Sequence, residues 1–255
     1  MPRLHLIEIH DQPWCPTSLR DACTDYLRFT INLAKIYEPV ASPLKNAMAK
    51  SRSHRVVDLC SGGGGPWLTL IETFSDDELK EVCLTDLFPN ITAFREVADN
   101  VGERVTYNEI PVDATDMAES LTGFRTLFSS FHHFRPARAK EILADAVRKR
   151  QGIGIFEMTA RSPVQIIPIL FSPLFVILVS PFMGPFRWSR MFWTYVIPLL
   201  PFIVCVDGVV SCLRTYSPAE LRALTEEFET FEWEMGLLKG VGLLKITYLI
   251  GTPKD

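Results

Sequence analysis

A run of four glycines follows a short apolar stretch and could hold a ligand through its backbone. Residues 58–66 have the sequence DLCSGGGGP; they follow Val56-Val57 and precede a helical pattern. Glycine permits positive φ angles and lets a ligand approach the backbone closely, while Pro66 presets the φ of the first helical residue. A strand, loop and helix arranged in this way indicate an adenosine ligand, without distinguishing a dinucleotide from other adenosine ligands.

Three acidic residues narrow the choice of ligand. Asp58 stands where the dinucleotide fingerprint has an apolar residue, and its charge would repel a pyrophosphate, so a cationic ligand fits better. Asp86 ends the second predicted strand and is placed to accept hydrogen bonds from ribose hydroxyls, or else to cap a helix beginning at Asn90. Asp113 follows the third predicted strand and could accept from an adenine amino group or cap its own turn. The sequence has no GxxxxGK[ST] loop for cradling phosphates.

In this order and spacing, these residues resemble the motifs of the class I S-adenosylmethionine-dependent methyltransferases. The first motif of that family is an acidic residue followed by alternate glycines, and here Cys60 replaces its first glycine. The resemblance covers about residues 55–160 and 211–250 and implies S-adenosylmethionine as the cofactor. The residues that it implies for cofactor binding are Asp58, Cys60, Ser61, Gly62, Gly64, Asp86, Leu87, Asp113, Ala114 and Ser129.

Two histidines and a glutamate are the predicted catalytic residues. His132 and His133 lie in the segment that the resemblance places after the fourth strand, and a neutral imidazole is the natural general base near pH 7. Adjacent side chains cannot both face the transferred methyl group, and either histidine could serve only the geometry of the turn. Glu157 ends the fifth predicted strand, where it could position the acceptor, take its proton or pack against Arg161.

The implied chemistry does not require a catalytic triad or a metal ion. Methyl transfer from a sulfonium is an in-line displacement whose leaving group is already activated. The protein therefore has mainly to position the reactants and exclude water. The sequence has no histidine cluster at zinc spacing and no CxxC pair, so we expect no metal site and six free cysteine thiols.

Hydrophobic periodicity predicts the elements that position these residues. Helical spacing indicates a helix near 18–36 and a second one after Ser42-Pro43. Strands are predicted at Val56–Leu59, Glu81–Asp86, Val105–Ile110, Thr126–Ser129, Gly152–Glu157, Thr230–Met235 and Leu243–Ile250. Helices are predicted near 66–75, 90–100, 136–149 and 217–228. The fold class is therefore α/β: a doubly wound, mostly parallel, seven-stranded Rossmann-like sheet with an antiparallel last strand.

Composition excludes some partners and compartments. The chain has 255 residues, with 26 Lys and Arg against 30 Asp and Glu, so no surplus positive charge exists for a nucleic-acid backbone. The N-terminal residues contain no apolar run long enough for a signal peptide. We expect a cytoplasmic protein with no nucleic-acid partner.

An almost uncharged block interrupts this pattern after the fifth strand. Residues 163–213 contain three charged residues, Arg187, Arg190 and Asp207. The length suggests a membrane hairpin, but seven prolines at 163, 168, 173, 181, 185, 198 and 201 would leave backbone groups unpaired in lipid. A conventional pair of membrane spans is therefore not expected.

Three interpretations of the block remain open. It could be a pair of broken helices in the membrane interface, with Trp188, Trp193, Tyr195 and both arginines at headgroup level. It could instead be a cap over the sheet that forms an apolar acceptor pocket. These two interpretations are compatible, and the third is a homodimer interface.

The sequence thus predicts three regions and one main function. Residues 1–54 form an N-terminal helical cap, residues 55–161 and 211–255 form the methyltransferase domain, and residues 162–210 form an apolar lid or membrane-contact insertion. The expected activity is methyl transfer to a hydrophobic small molecule or lipid, on the inner face of the membrane. The alternatives are a membrane-associated scaffold that keeps the fold without activity, and an NAD(P)-dependent oxidoreductase.

Overall fold

The computed structural model describes residues 1–254, in which helices and strands alternate. The strands are β1 (Arg55–Asp58), β2 (Glu81–Leu84), β3 (Val105–Tyr107), β4 (Phe124–Phe128), β5 (Ile153–Glu157), β6 (Phe231–Lys239) and β7 (Lys245–Pro253). The helices are α1 (Thr17–Leu33), α2 (Ala41–Lys50), α3 (Trp67–Leu70), α4 (Ile91–Val101), α5 (Pro136–Arg148), α6 (Pro163–Ile169), α7 (Ser172–Val179), α8 (Trp188–Met191), α9 (Leu199–Arg214) and α10 (Pro218–Thr225).

The seven strands form one sheet in the order β3-β2-β1-β4-β5-β7-β6. The first five strands pair in parallel, and β7 runs antiparallel to both β5 and β6. This arrangement confirms the predicted fold class. The chain reverses its direction of winding between β1 and β4, and ligands of such sheets bind outside the carboxyl ends of the strands at that point.

Both faces of the sheet are covered, as a mostly parallel sheet requires. Helices α2, α3 and α4 cover one face through buried side chains such as Met48, Trp67 and Phe94. Helices α5 and α10 cover the other face through residues such as Leu143 and Leu221. The two layers leave the carboxyl edge of the sheet as the place where loops can form a site.

Some element boundaries differ from the prediction. The helix predicted near 66–75 consists of α3 followed by a 3-10 turn at Ile71–Thr73, because the β-branched Thr69, Ile71 and Thr73 weaken an α-helix there. Helix α9 continues to Arg214, so the region boundary predicted at 210–211 lies inside a helix.

The apolar insertion packs on the N-terminal helix. Cys15, Leu19 and Cys23, in and just before α1, form a buried cluster with Val176 and Leu200 of the insertion. The insertion consists of the short helices α6, α7 and α8 and the longer α9, and Pro163, Pro173 and Pro198 stand at helix starts, where no backbone donor is lost. Helix α1 thus lies between the sheet domain and the insertion.

Of the charged residues of the insertion, Arg190 and Asp207 are buried and Arg187 is half-buried. Arg190 has no exposed surface, and its guanidinium lies 3.1 Å from the carboxylate of Asp25 in α1. Arg187 pairs with Asp25 at 2.9 Å and with Asp21 at 3.4 Å. The prediction that Arg190 lies at headgroup level is therefore wrong, because this side chain is fully buried against Asp25 of α1.

The insertion nevertheless exposes many large apolar side chains. Among the most exposed are Phe171, Leu174, Leu178, Phe182, Trp188 and Val196, each at 60–80%. No single helix within residues 1–254 is long and apolar enough to cross a membrane. Two bent pairs, Pro163–Ile169 with Ser172–Phe182 and Trp188–Val196 with Leu199–Arg214, meet that test only jointly, with bends of 42° and 83°.

The buried ion pairs predict a large effect of one isosteric substitution. Asp25→Asn removes the carboxylate that compensates the buried Arg190, and breaking a buried pair in this way costs about 3–5 kcal/mol. We expect the free energy of unfolding in urea to fall by that amount. In Asp76→Asn, which removes an exposed partner of Arg104, the loss should stay within about 1 kcal/mol. Equal losses in the two variants would contradict this role of Asp25.

Candidate functional site

A cavity of about 330 Å³ opens at the carboxyl edge of the sheet. One wall is the glycine loop with the residues that follow β2 and β4. Another wall is α1, through residues such as Thr24, Leu27 and Ile31, and the N-terminal segment contributes His10 and Asp11. The cavity therefore lies at the point where the fold predicts a ligand.

The backbone of the glycine loop is held in an unusual conformation. Cys60 has a φ of 54°, Gly62 of 56° and Gly64 of 103°. Cys60 therefore adopts a left-handed backbone conformation that is usually occupied by glycine. A β-carbon at Gly63 would lie 2.7 Å from the carbonyl oxygen of Thr24, so only glycine allows α1 to pack this closely.

Asp58 lies beneath the loop rather than in the cavity wall. It is 1% exposed, and its carboxylate accepts hydrogen bonds from Ser61 Oγ at 2.7 Å and Thr126 Oγ1 at 2.6 Å. Burial raises the pKa of Asp58 to about 7, against the opposing effect of these two hydroxyl donors. Its observed role is to anchor the turn of the loop to β4.

Asp86 lies in the cavity wall with both of its oxygens oriented by the backbone. One oxygen accepts from the N–H of Gly62 and the other from the N–H of Phe88, each at 2.8 Å. Burial raises the pKa of Asp86, and these N–H groups oppose the rise. Each carboxylate oxygen can accept a further hydrogen bond, so Asp86 can bind a ligand hydroxyl while keeping its hydrogen bonds to Gly62 and Phe88.

The other predicted cofactor residues are divided between the cavity and its surroundings. Cys60, Ser61, Gly62, Leu87 and Ser129 line the cavity together with Asp86. The remaining four do not line it. These are Asp58, Gly64, Asp113 and Ala114.

Asp113 and Ala114 lie apart from the cavity for identifiable reasons. Asp113 accepts from the N–H and hydroxyl of Thr115 at 2.8 and 2.7 Å and pairs with Arg138 at 3.2 Å, so it stabilises its own turn. Ala114 is buried in the layer formed with α5. A β-carbon added at Gly64 would lie 2.7 Å from Val97 Cγ2, so glycine at this position lets the loop pack closely against α4.

The three predicted catalytic residues are also separated. His132 and Glu157 are 2% and 3% exposed, and His132 Nδ1 donates to the Glu157 carboxylate at 2.7 Å. This pair lies behind the wall, and Arg161 pairs with Glu220 instead of Glu157. His133 lines the cavity, where its Nδ1 lies 2.6 Å from Asp11 Oδ2. Burial lowers the pKa of His133, but the carboxylates of Glu8 and Asp11 together raise it to about 9.

The N-terminal segment contributes side chains to the cavity that the sequence did not predict. Glu8, His10 and Asp11 lie next to His133 and form with it a group of four side chains at the cavity wall. The only local signal was a glutamate between Ile7 and Ile9, which is an unfavourable place for a charge unless it is buried with partners. Arg214 is such a partner, at 3.1 Å from Glu8 Oε1.

Comparisons with solved structures identify the fold. An O-methyltransferase family protein from Burkholderia thailandensis is similar over 92% of this chain and 60% of its own, with 16% identity and a TM-score of 0.52. Human N-acetylserotonin methyltransferase, solved with S-adenosylmethionine, matches over 91% and 56%, with 11% identity and a TM-score of 0.50. An O-methyltransferase from neocarzinostatin biosynthesis, solved with S-adenosylmethionine and 2-hydroxy-5-methyl naphthoic acid, matches over 91% and 56%, with 14% identity and a TM-score of 0.50.

These likenesses confirm the resemblance at the level of the fold. The chain has the fold of the class I S-adenosylmethionine-dependent methyltransferases, and it spans about 60% of the length of the first of these neighbours. No family model matches the sequence, and a comparison with curated proteins found no match. The comparisons give no support to the scaffold or oxidoreductase alternatives.

The raised pKa of Asp58 predicts a pH dependence of stability. Between about pH 4 and 7 the folded protein keeps a proton on Asp58 that the unfolded chain has lost, so its contribution to stability falls as the pH rises. Relative to Asp58→Asn, the free energy of unfolding of the wild type should decrease by a few kcal/mol at most, since one pKa unit corresponds to about 1.4 kcal/mol. Urea titrations at several pH values measure this difference. If the free energies of unfolding of the wild type and Asp58→Asn change with pH in the same way, the prediction is contradicted. The control Asp116→Asn, at an exposed position, should show the same pH dependence as the wild type.

Proposed function

We propose that this protein is an S-adenosylmethionine-dependent methyltransferase acting on a hydrophobic small molecule or a lipid. The observation that carries the proposal is a single cavity that combines the glycine loop and Asp86 with mostly apolar walls, at the ligand-binding edge of this fold. Neighbours of the same fold are solved with S-adenosylmethionine, which supports the same cofactor here.

The residues of the cavity fit this cofactor. Asp86 would accept hydrogen bonds from the ribose, and the backbone of residues 60–63 would lie against the methionine part. Leu87 and Phe88 are 47% and 53% exposed at the cavity and offer apolar surface to the adenine. When bound, the cofactor would supply an activated methyl group, so the chain has chiefly to orient the acceptor and exclude water.

The remaining walls suit an apolar acceptor. Leu27, Ile31, Phe128, Phe134 and Met158 line the cavity beyond the glycine loop. Hydrophobic walls with a few convergent polar groups are typical of small-molecule sites. An acceptor with extended apolar surface would therefore bind between α1 and the ends of β4 and β5.

His133 is the proposed catalytic residue that touches the acceptor. It lines the cavity, whereas His132 and Glu157 bind each other behind it. With its pKa raised, His133 is an imidazolium near neutral pH, and it would donate a hydrogen bond to an electronegative atom of the acceptor. We therefore assign His132 and Glu157 to positioning the turn that carries His133.

We further propose that the insertion contacts the inner face of a membrane. Its exposed side chains include Phe171, Phe182 and Trp188, while its two arginines are paired with Asp25 of α1. Apolar exposure on this scale is typical of a surface that binds lipid or another protein. A lid resting on a membrane would let a lipid-soluble acceptor reach the cavity without crossing water.

The cofactor proposal is tested by calorimetry with S-adenosylhomocysteine and, for comparison, NAD. We expect the wild type to bind S-adenosylhomocysteine alone. Asp86→Ala should weaken binding by about tenfold to a hundredfold, because hydrogen bonds to a charged group contribute about 1.5–3 kcal/mol. Asp116→Ala, at an exposed position, should bind as the wild type does. Absence of binding to the wild type, or undiminished binding to Asp86→Ala, would overturn the proposal.

The membrane proposal is tested by flotation with vesicles that contain anionic phospholipid. The wild type should float, and a variant with Phe171→Ser, Phe182→Ser and Trp188→Ser should stay in the dense fraction, because the apolar contact is lost. A matched variant with Leu33→Ser and Ile110→Ser removes exposed apolar residues outside the insertion and should still float. If the wild type does not float but sediments as a dimer that the triple variant cannot form, the surface is a dimer interface and the membrane proposal fails.

A further inference from the structure

We propose that Glu8, His10, Asp11 and His133 form a binding site for a first-row divalent transition-metal ion in the cavity wall. One ligand atom from each of the four residues lies within 4.8 Å of every other. Two imidazoles and two carboxylates are a donor set typical of such ions. The inference goes beyond the proposed methyl transfer and does not depend on it.

One carboxylate oxygen of Glu8 is buried and has no hydrogen-bond partner. Glu8 has no exposed surface, and its Oε2 makes no hydrogen bond. This oxygen lies 3.6 Å from His133 Nδ1. A buried charged oxygen left unpaired is costly, and an ion held between Glu8 and the two imidazoles would remove that cost.

Asp207 fixes the orientation of the His10 ring. Its Nδ1 donates to Asp207 Oδ2 at 2.8 Å, and Asp207 is itself held by the N–H groups of Ile9 and His10. In a neutral ring this leaves the lone pair on Nε2, which lies 3.6 Å from Asp11 Oδ1. A carboxylate that orients a histidine from behind is the usual support of a metal ligand.

The charges around the site leave room for a cation. Glu8 and Asp11 face one guanidinium, that of Arg214, which lies 3.1 Å from Glu8 Oε1 and 3.5 Å from Asp11 Oδ2. Arg214 thus pairs with Oε1 of Glu8 and leaves Oε2 without a hydrogen-bond partner. The second negative charge must be balanced by protons on the imidazoles or by a metal ion that displaces them.

Metal binding would require side-chain adjustments of about 1 Å, since the four ligand atoms now lie within 4.8 Å of one another. Ligand atoms at about 2.0–2.2 Å from a tetrahedral ion lie roughly 3.3–3.6 Å apart. The Glu8–His133 and His10–Asp11 separations of 3.6 Å already correspond to this value. The 2.6 Å contact between Asp11 and His133 would open by about 1 Å on binding.

The test uses the full chain, stripped with a chelator and dialysed. Co²⁺ should bind at one equivalent and produce visible ligand-field absorption, Zn²⁺ should displace it, and Ca²⁺ and Mg²⁺ should not, because they prefer all-oxygen sites. Glu8→Gln and His10→Ala should each weaken Zn²⁺ binding by about tenfold or more in calorimetry. The exposed controls Glu72→Gln and His54→Ala should bind as the wild type does.

The outcomes separate clearly. Far-UV circular dichroism establishes that each variant is folded, and His10→Ala, at a partly exposed position, keeps the test valid if Glu8→Gln does not fold. Absence of saturable binding, or binding that both site variants retain, overturns the proposal. Metal binding without any binding of S-adenosylhomocysteine would uphold this site and reject the proposed methyltransferase, whereas the reverse result would reject this site alone.

Discussion

The close packing of helix α1 on the glycine loop is the contact on which the rest of the site depends. At Gly63 the loop approaches the Thr24 carbonyl so closely that no β-carbon would fit. The next residue of α1, Asp25, pairs with the buried Arg190 of the insertion. A single helix therefore closes the cavity on one side and attaches the insertion on the other, so that movement of α1 would change both.

Buried charges, rather than apolar contacts alone, determine how the N-terminal segment is placed. Asp207 of α9 accepts from the backbone of residues 9 and 10, and Arg214 at the end of the same helix pairs with Glu8. Charge-assisted hydrogen bonds of this kind are shorter and stronger than neutral ones, and their geometry is defined. They bring Glu8, His10 and Asp11 next to His133, and the four side chains form a polar group at the cavity wall.

The glycine-loop side of the cavity was largely predictable from the sequence, and the side formed by α1 and the N-terminal segment was not. Cys60, Gly62 and Asp86 occupy the places expected for them, because a strand, a tight turn and the next strand end are local features with fixed geometry. Asp113 was predicted from its position after β3, yet Thr115 and Arg138 hold it outside the cavity. Position in the chain does not specify where a side chain points when several polar partners are near.

The sequence by itself determined the order of helices and strands, the seven-stranded sheet, the glycine loop and the nearly uncharged insertion. Periodicity, glycines and prolines express these features over a few residues at a time. Only the tertiary structure decided that Arg190 is buried against α1, that His133 rather than His132 lines the cavity, and that the first residues of the chain contribute to it. These outcomes depend on contacts such as Asp11 with His133, 122 residues apart, and no local pattern specifies a contact of that range.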